Sequence, residues 1–133
     1  VPFGSEYSSL GTVMEQAMNF VGLELSPDPM PEQNLFTRSD HYSFVKQGVP
    51  SVFLITGFNS ADPEMDGEKM FRNWLRTIYH KPTDDLSQKM HLESGVKVVQ
   101  ANFLAGYIIA NRDERPSWNP GNFFGETFGH LAR

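Results

Sequence analysis

Apolar positions first settle into a helical rhythm between Ser8 and Gly22. Leu10, Val13, Met14, Ala17, Met18 and Val21 follow one another at intervals of 3, 1, 3, 1 and 3, which lines them along one stripe of an amphipathic helix. Ser8 or Ser9 can cap its start and Gly22 can end it. The rhythm breaks at Ser26-Pro-Asp-Pro-Met-Pro-Glu32, where closely spaced prolines predict a loop. Residues 39–48 have the signs of a short helix, with Ser39 or Asp40 as cap and Gly48 as stop. Residues 49–56, VPSVFLIT, then form a continuous β-branched and apolar run that suits a buried strand.

A long polar loop is predicted over 57–71, overlapping a helix over 68–78 that carries Met70, Phe71, Trp74, Leu75 and Ile78 on one side. Residues 92–112 make the strongest helix, with Val96, Val99, Phe103 and Ile108 on so wide an apolar arc that packing on more than one side is expected. The tail, 115–133, mixes Gly and Pro with aromatics and is expected to wrap irregularly over the surface. A helix, a glycine turn and a buried strand in succession indicate an α/β fold. One strand cannot make a sheet, so further strands are expected near 1–4 and 33–37, or in polypeptide beyond this sequence.

The 133 residues suit a single domain able to build a core. A net charge of −5 with scattered Lys and Arg argues against a nucleic-acid module. The absence of cysteine rules out disulfides, thiolate metal sites and cysteine nucleophiles. No apolar run approaches the roughly 20 residues of a membrane span. No signal peptide is evident, and a chain that begins at Val1 is expected to be a processed product or a fragment.

Candidate chemistry lies in two short motifs. In Tyr79-His80-Lys-Pro-Thr-Asp84 the proline restricts the turn and fixes the direction of the histidine. As a zinc ligand, His80 would use one neutral ring nitrogen while Asp84 held the other; as a packed loop residue it would need neither, and Asp84 could cap the next helix. No second histidine stands at ligand spacing. In Ser39-Asp40-His41-Tyr-Ser-Phe44, Asp40 and His41 can be an acid–base pair, or Ser39 or Asp40 can simply cap the helix.

Other patterns carry less. Asp62, Glu64, Asp66 and Gly67 imitate the start of a calcium loop, but Asn73 stands where glutamate is required and Pro63 is out of place, so a solvated acidic loop is expected. Ser43-x-x-Lys46 lacks the companion elements of a serine hydrolase. The Trp118, Phe123, Phe124 and Phe128 group suits core or interface packing.

Taken together and in order, RSDHYSFVKQGVPSVFLITG and YHKPTDDL resemble the C-terminal part of the co-catalytic dizinc aminopeptidases, the relatives of bacterial leucyl aminopeptidase and aminopeptidase S. The resemblance implies the C-terminal part of a three-layer α/β/α mixed-sheet zinc-peptidase fold, acting on the N-terminal residues of peptides. It makes His80 the last zinc ligand of a two-zinc centre and Tyr79 a donor to the tetrahedral oxyanion. It places Ser39 and Asp40, with Asp84, where they would orient ligands, and Ile55 and Phe58 where they would line an apolar substrate pocket. A secreted or periplasmic location follows by the same analogy.

The departure is equally specific. The family's early His-x-Asp and its Glu-Glu pair have no counterpart here. The chain is therefore expected to supply one zinc ligand of about five, to need the missing N-terminal part of a catalytic domain, and alone to bind no metal tightly, to be inactive and to self-associate. Two alternatives share the motifs. Glutaminyl cyclases have a related D-H-x-P-F and a late zinc histidine but usually carry Trp before it, where Tyr79 stands here. Receptor-like relatives keep the fold without metals and would use the aromatic tail as a partner or dimer surface.

Overall fold

The computed structural model describes residues 1–60 and 62–132; Ala61 of the polar loop and Arg133 of the tail lie outside the described residues. The elements run β1 (Pro2–Phe3), α1 (Leu10–Phe20), α2 (Tyr42–Val45), β2 (Phe53–Leu54), α3 (Gly67–Thr77), α4 (Leu92–Ala110) and α5 (Phe123–Phe128), with short 3-10 turns between them.

Helix α1 follows the pattern of its sequence. Leu10, Val13, Met14, Ala17 and Met18 are buried, and Ser8 Oγ accepts the Leu10 N–H at 3.3 Å. Its end is a left-handed cap. Gly22 at φ 68° donates to the Asn19 carbonyl while Leu23 N–H reaches the Met18 carbonyl at 2.9 Å, the paired bonds that satisfy a helix terminus. The buried stripe packs against Ala101 and Ala105 of α4, with Val52, Leu54, Leu104 and Ile108 around them. Small side chains at this contact let the two helices approach closely.

The expected buried strand over 49–56 shortens to Phe53–Leu54, paired antiparallel with β1 in the register Pro2 to Leu54 and Phe3 to Phe53. Ile55 N–H extends the ladder to the Val1 carbonyl at 3.0 Å, and the Val1 nitrogen donates to the Ile55 carbonyl at 2.7 Å. The run is only half-buried, because a strand with one partner has one open edge. Of the further strands expected, the one near 1–4 is present. The segment near 33–37 instead forms 3-10 turns over Pro31–Gln33 and Leu35–Arg38. Pro31 opens the first, and Asn34 in the left-handed region at φ 49° separates them, a conformation incompatible with extended pairing.

A second cluster gathers Val1, Phe3, Phe36 and Val45 with Tyr7, Tyr42, Phe53, Trp118, Phe124 and Phe128. Phe36 sits at its centre, with ring centroids 5.0 Å from Tyr7 and 5.1 Å from Phe124. The tail wraps as expected and does so with specific bonds. Ser9 N–H donates to the Ser117 carbonyl at 2.8 Å and Asn119 N–H to the Tyr7 carbonyl at 2.9 Å. Trp118 Nε1–H donates to the Gly48 carbonyl at 2.8 Å. It is also more regular than expected: Asn122 accepts the Phe124 and Gly125 N–H groups and starts α5. Trp118, Phe124 and Phe128 thereby turn inward; of the four aromatics, Phe123 stays 67% exposed.

Two helices are less covered than their sequences imply. On α3 no residue is fully buried, and Met70 is 55% exposed. Helix α4 buries only its α1-facing side; Leu92, Val96, Val99, Phe103 and Tyr107 are 54–74% exposed. The architecture is thus mixed α/β, with helices and aromatics packed around one two-stranded ribbon. Among the described residues, no helix is long and apolar enough to cross a membrane.

Candidate metal-binding turn

Asp66 starts the path to His80. Its carboxylate accepts the Lys69 N–H at 2.9 Å and caps α3; Asp62 accepts the Glu64 N–H at 2.9 Å in the preceding loop. Two of the three carboxylates of the calcium-like segment, Asp62 and Asp66, thus have ordinary turn and cap roles. They line an open recess of about 480 Å³ with Glu64, Met65, Lys69 and Met70.

At the far end of α3, the Ile78 and Tyr79 N–H groups both reach the Trp74 carbonyl, at 2.9 and 3.0 Å. Lys81 N–H returns to the Ile78 carbonyl at 2.9 Å. These bonds force His80 into the left-handed region at φ 56°, where a non-glycine residue is uncommon and strained by about 1 kcal/mol or more. Thr83 Oγ1–H donates to the Thr77 carbonyl at 3.2 Å, and Lys81 Nζ to the Arg76 carbonyl, tying the turn back to the helix.

The result is an exposed His80 with its imidazole stacked on Tyr79, centroids 3.7 Å apart and planes at 23°. Tyr79 leans on Trp74 at 4.8 Å, Trp74 on Phe71 at 5.8 Å, and Phe71 on Phe58 at 5.8 Å. An aromatic chain therefore links Phe58 to the histidine turn and holds Tyr79 and His80 side by side. No hydrogen bond occupies the His80 ring among the described residues, which leaves both nitrogens available to an outside partner.

Asp84 takes neither of the roles considered for it. Its N–H bonds the Lys81 carbonyl at 2.9 Å, while its carboxylate bonds neither His80 nor a helix end. The next helix starts eight residues later, capped by His91, whose Nδ1 accepts the Ser94 N–H at 3.2 Å. Neighbouring Asp85 is the engaged carboxylate: the Ser87 hydroxyl and N–H hold its pKa below the ordinary value.

The serine-aspartate motif lies elsewhere in the fold. The backbone carbonyls of Ser39 and Asp40 accept the Tyr42 and Ser43 N–H groups at 3.0 and 3.1 Å. Neither side chain caps α2, because these backbone 3-10 bonds already satisfy its first N–H groups. No hydrogen bond, ion pair or ring contact joins this motif to the His80 turn among the described residues. Ile55 packs into the Phe3–Phe36–Val45 cluster, apart from Phe58, whose ring meets Phe71 at a tilt of 54°.

The sequence offers His41 as an acid–base partner of Asp40, and the structure surrounds its ring with aromatics. Its ring lies 5.5 Å from Phe53 at 13° and 4.9 Å from Phe36. Both ring nitrogens are shut away from solvent without a hydrogen-bond partner. Burial pushes its pKa below the ordinary value, outweighing the Asp40 charge, which favours the imidazolium. The sign follows. The unfolded ring takes up a proton below about pH 6.5 while the folded ring stays neutral, so stability falls as pH drops through that value. Urea midpoints should decline from pH 7 to pH 5 in the natural chain and decline less in His41→Phe; equal slopes would remove His41 as the cause.

The chain matches the family model described as peptidase family M28 over residues 3–104. It belongs to that family. The match spans both motifs, α1, β2 and α3, and makes the chain a member of a co-catalytic zinc aminopeptidase-type family of peptidases. Comparisons with curated proteins and with solved structures gave no match.

Family membership implies zinc, and the donor set tests whether zinc fits. Among the described residues, no three His, Asp, Glu or Cys side chains come together in a way that could hold a metal ion. A zinc centre needs three or four protein ligands about 2 Å from the ion. His80 alone does not meet that requirement, so the residues present do not by themselves fit the metal that the family uses.

Proposed function

We propose that this chain is the C-terminal part of a zinc-dependent aminopeptidase and supplies the Tyr79–His80 turn to a site completed by further polypeptide of a three-layer α/β/α domain. The Tyr79–His80 turn carries this reading. A peptidase-family chain holds a histidine in a strained, tightly bonded turn, with both ring nitrogens free and a phenol stacked against it. Strain of this kind persists where surrounding structure fixes it, and it clusters at functional sites.

In this reading His80 presents a ring nitrogen to zinc, and the substrate is a peptide with a free N-terminus. Tyr79 is 41% exposed, so its phenol can donate a hydrogen bond to negative charge developing on the scissile carbonyl. The aromatic row from Phe58 to Trp74 provides an apolar wall beside the turn. The open edge of β2 and the bare outer faces of α3 and α4 are what a domain lacking part of its sheet would leave uncovered. Inward packing of Trp118, Phe124 and Phe128 favours this reading over a metal-free receptor that binds through its tail. Tyr79, in place of the usual tryptophan, favours it over a cyclase.

The test is a peptide assay on the polypeptide that carries the remaining ligands. Release of free N-terminal residues is expected, and Tyr79→Phe should lower kcat by roughly ten- to a thousandfold. Cyclisation of an N-terminal glutaminyl peptide without such release would assign the cyclase reading instead. An unchanged kcat in Tyr79→Phe would remove the phenol from the chemistry.

A further inference from the structure

Among the described residues, Trp74 is a large aromatic that belongs to neither core cluster. It is half-buried, and its ring meets Phe71 at 5.8 Å and Tyr79 at 4.8 Å. Helix geometry alone would not bring Trp74 and Tyr79 together. Residues five apart in a continuous helix lie about 140° apart around the axis, and the neighbour at four, Ile78, would take the place of Tyr79. The contact exists because α3 stops at Thr77. The Trp74 carbonyl then receives both the Ile78 and the Tyr79 N–H, at 2.9 and 3.0 Å, and the Tyr79 ring comes back against the indole. Trp74 thus holds Tyr79 twice, by its main chain and by its side chain.

We propose that Trp74 is a positioning residue for peptide hydrolysis, its indole fixing the direction of the Tyr79 phenol. This rests on the reading of the Tyr79–His80 turn as part of a peptidase site. Tyr79 is 41% exposed, so without a support its ring would be free to move among staggered rotamers. A donor stabilises a developing oxyanion only from a position set beforehand. The far end of the aromatic row is itself anchored. Phe58, in the loop after β2, meets Phe71 at 5.8 Å and lies 5.8 Å from the Arg72 guanidinium. Arg72 pairs with Glu68 at 2.8 Å and reaches Glu32 at 3.8 Å. Movement of the indole is therefore resisted from the end of the row opposite Tyr79.

A purely structural role would make different demands. Helix α3 has no fully buried residue, and among the described residues the rings that Trp74 meets are Phe71 and Tyr79. Truncating the indole should therefore disturb the turn and leave the packing of α1 on α4 intact. Trp74→Leu keeps a good helix former and an apolar side chain. Trp74→Phe keeps an aromatic face able to meet Tyr79.

Two measurements test it. On this chain, nuclear magnetic resonance reads the Tyr79 ring protons, which the indole shifts by its ring current. Trp74→Leu should move them to the values of an unpacked tyrosine with unchanged far-UV circular dichroism, and Trp74→Phe should retain Overhauser contacts between the two rings. In the polypeptide that carries the remaining ligands, Trp74→Leu should lower kcat about tenfold while KM stays within about twofold. Trp74→Phe should restore most of that rate. Trp74→Leu combined with Tyr79→Phe should be no slower than Tyr79→Phe alone, because the indole acts through the phenol. Four results would overturn the positioning role and leave the peptidase reading in place: Tyr79 shifts that survive Trp74→Leu, a Trp74→Leu kcat unchanged beside a slow Tyr79→Phe, full additivity in the double variant, or loss of the fold in Trp74→Leu. Tyr79→Phe as fast as the natural chain would remove the phenol from the chemistry, and the proposal with it.

Discussion

Replacing Gly48 by alanine is expected to lower the unfolding free energy by about 3 kcal/mol, read as a fall in the urea midpoint at unchanged slope. Three features converge on this residue. Its φ of 84° lies in the left-handed region that side chains avoid. It closes α2, donating to the Val45 carbonyl at 2.9 Å while Val49 N–H reaches the Phe44 carbonyl at 3.2 Å. A Cβ there would lie 2.6 Å from both the Phe128 carbonyl oxygen and the Ala132 nitrogen. Those atoms are backbone and cannot swing aside, so the tail would have to lift. Lifting it endangers the Trp118 bond to the Gly48 carbonyl and with it the aromatic cluster. Gly22 supplies the control. Its φ is 68°, yet an added Cβ meets nothing within 4 Å, so Gly22→Ala should cost only about 1 kcal/mol, the conformational part alone. Equal losses at the two sites would show that the tail does not press on Gly48.

His80→Ala should have the largest effect on metal binding. In the polypeptide that carries the remaining ligands, it removes a first ligand, and zinc affinity at that position should fall on the order of a hundredfold or more, since even outer hydrogen-bond partners of ligands are worth ten- to a hundredfold. The fold should be indifferent. The His80 side chain is exposed, and among the described residues its ring contact is the Tyr79 stack. Glycine at position 80, which adopts φ 56° without strain, should even stabilise the chain slightly while abolishing the ligand. A variant that keeps full zinc content and activity would remove His80 from the metal site. A variant that unfolds would mean that the histidine is structural.

Much of this was legible in the sequence because it depends on local pattern. The stripe from Leu10 to Met18, the glycine stops at Gly22 and Gly48, and the α3–turn–His80 order needed only periodicity and backbone preference. The failures share a different cause. VPSVFLIT reads as a buried strand because its composition presupposes neighbours on both sides, and only β1 pairs with it. Helix α4 reads as packed on more than one side for the same reason. Asn34 and Pro31 held the signal against a strand near residue 35, through a left-handed residue and a proline that composition alone does not weigh. The link between Phe58 and Tyr79 was not legible, because it runs through side chains of α3 that meet only once the helix is placed. His41 reads in sequence as a partner of Asp40, yet its burial is decided by Phe36 and Phe53, distant in pattern and adjacent in space.

The most direct measurement is the zinc content of the purified chain after loading and desalting, beside the same assay on His80→Ala. With His80 as a single ligand, the account predicts well under one zinc per chain and no difference between the two proteins. One or more tightly held zinc ions, whether or not lost with His80, would contradict it and would mean that residues kept apart in this structure assemble a metal centre of their own.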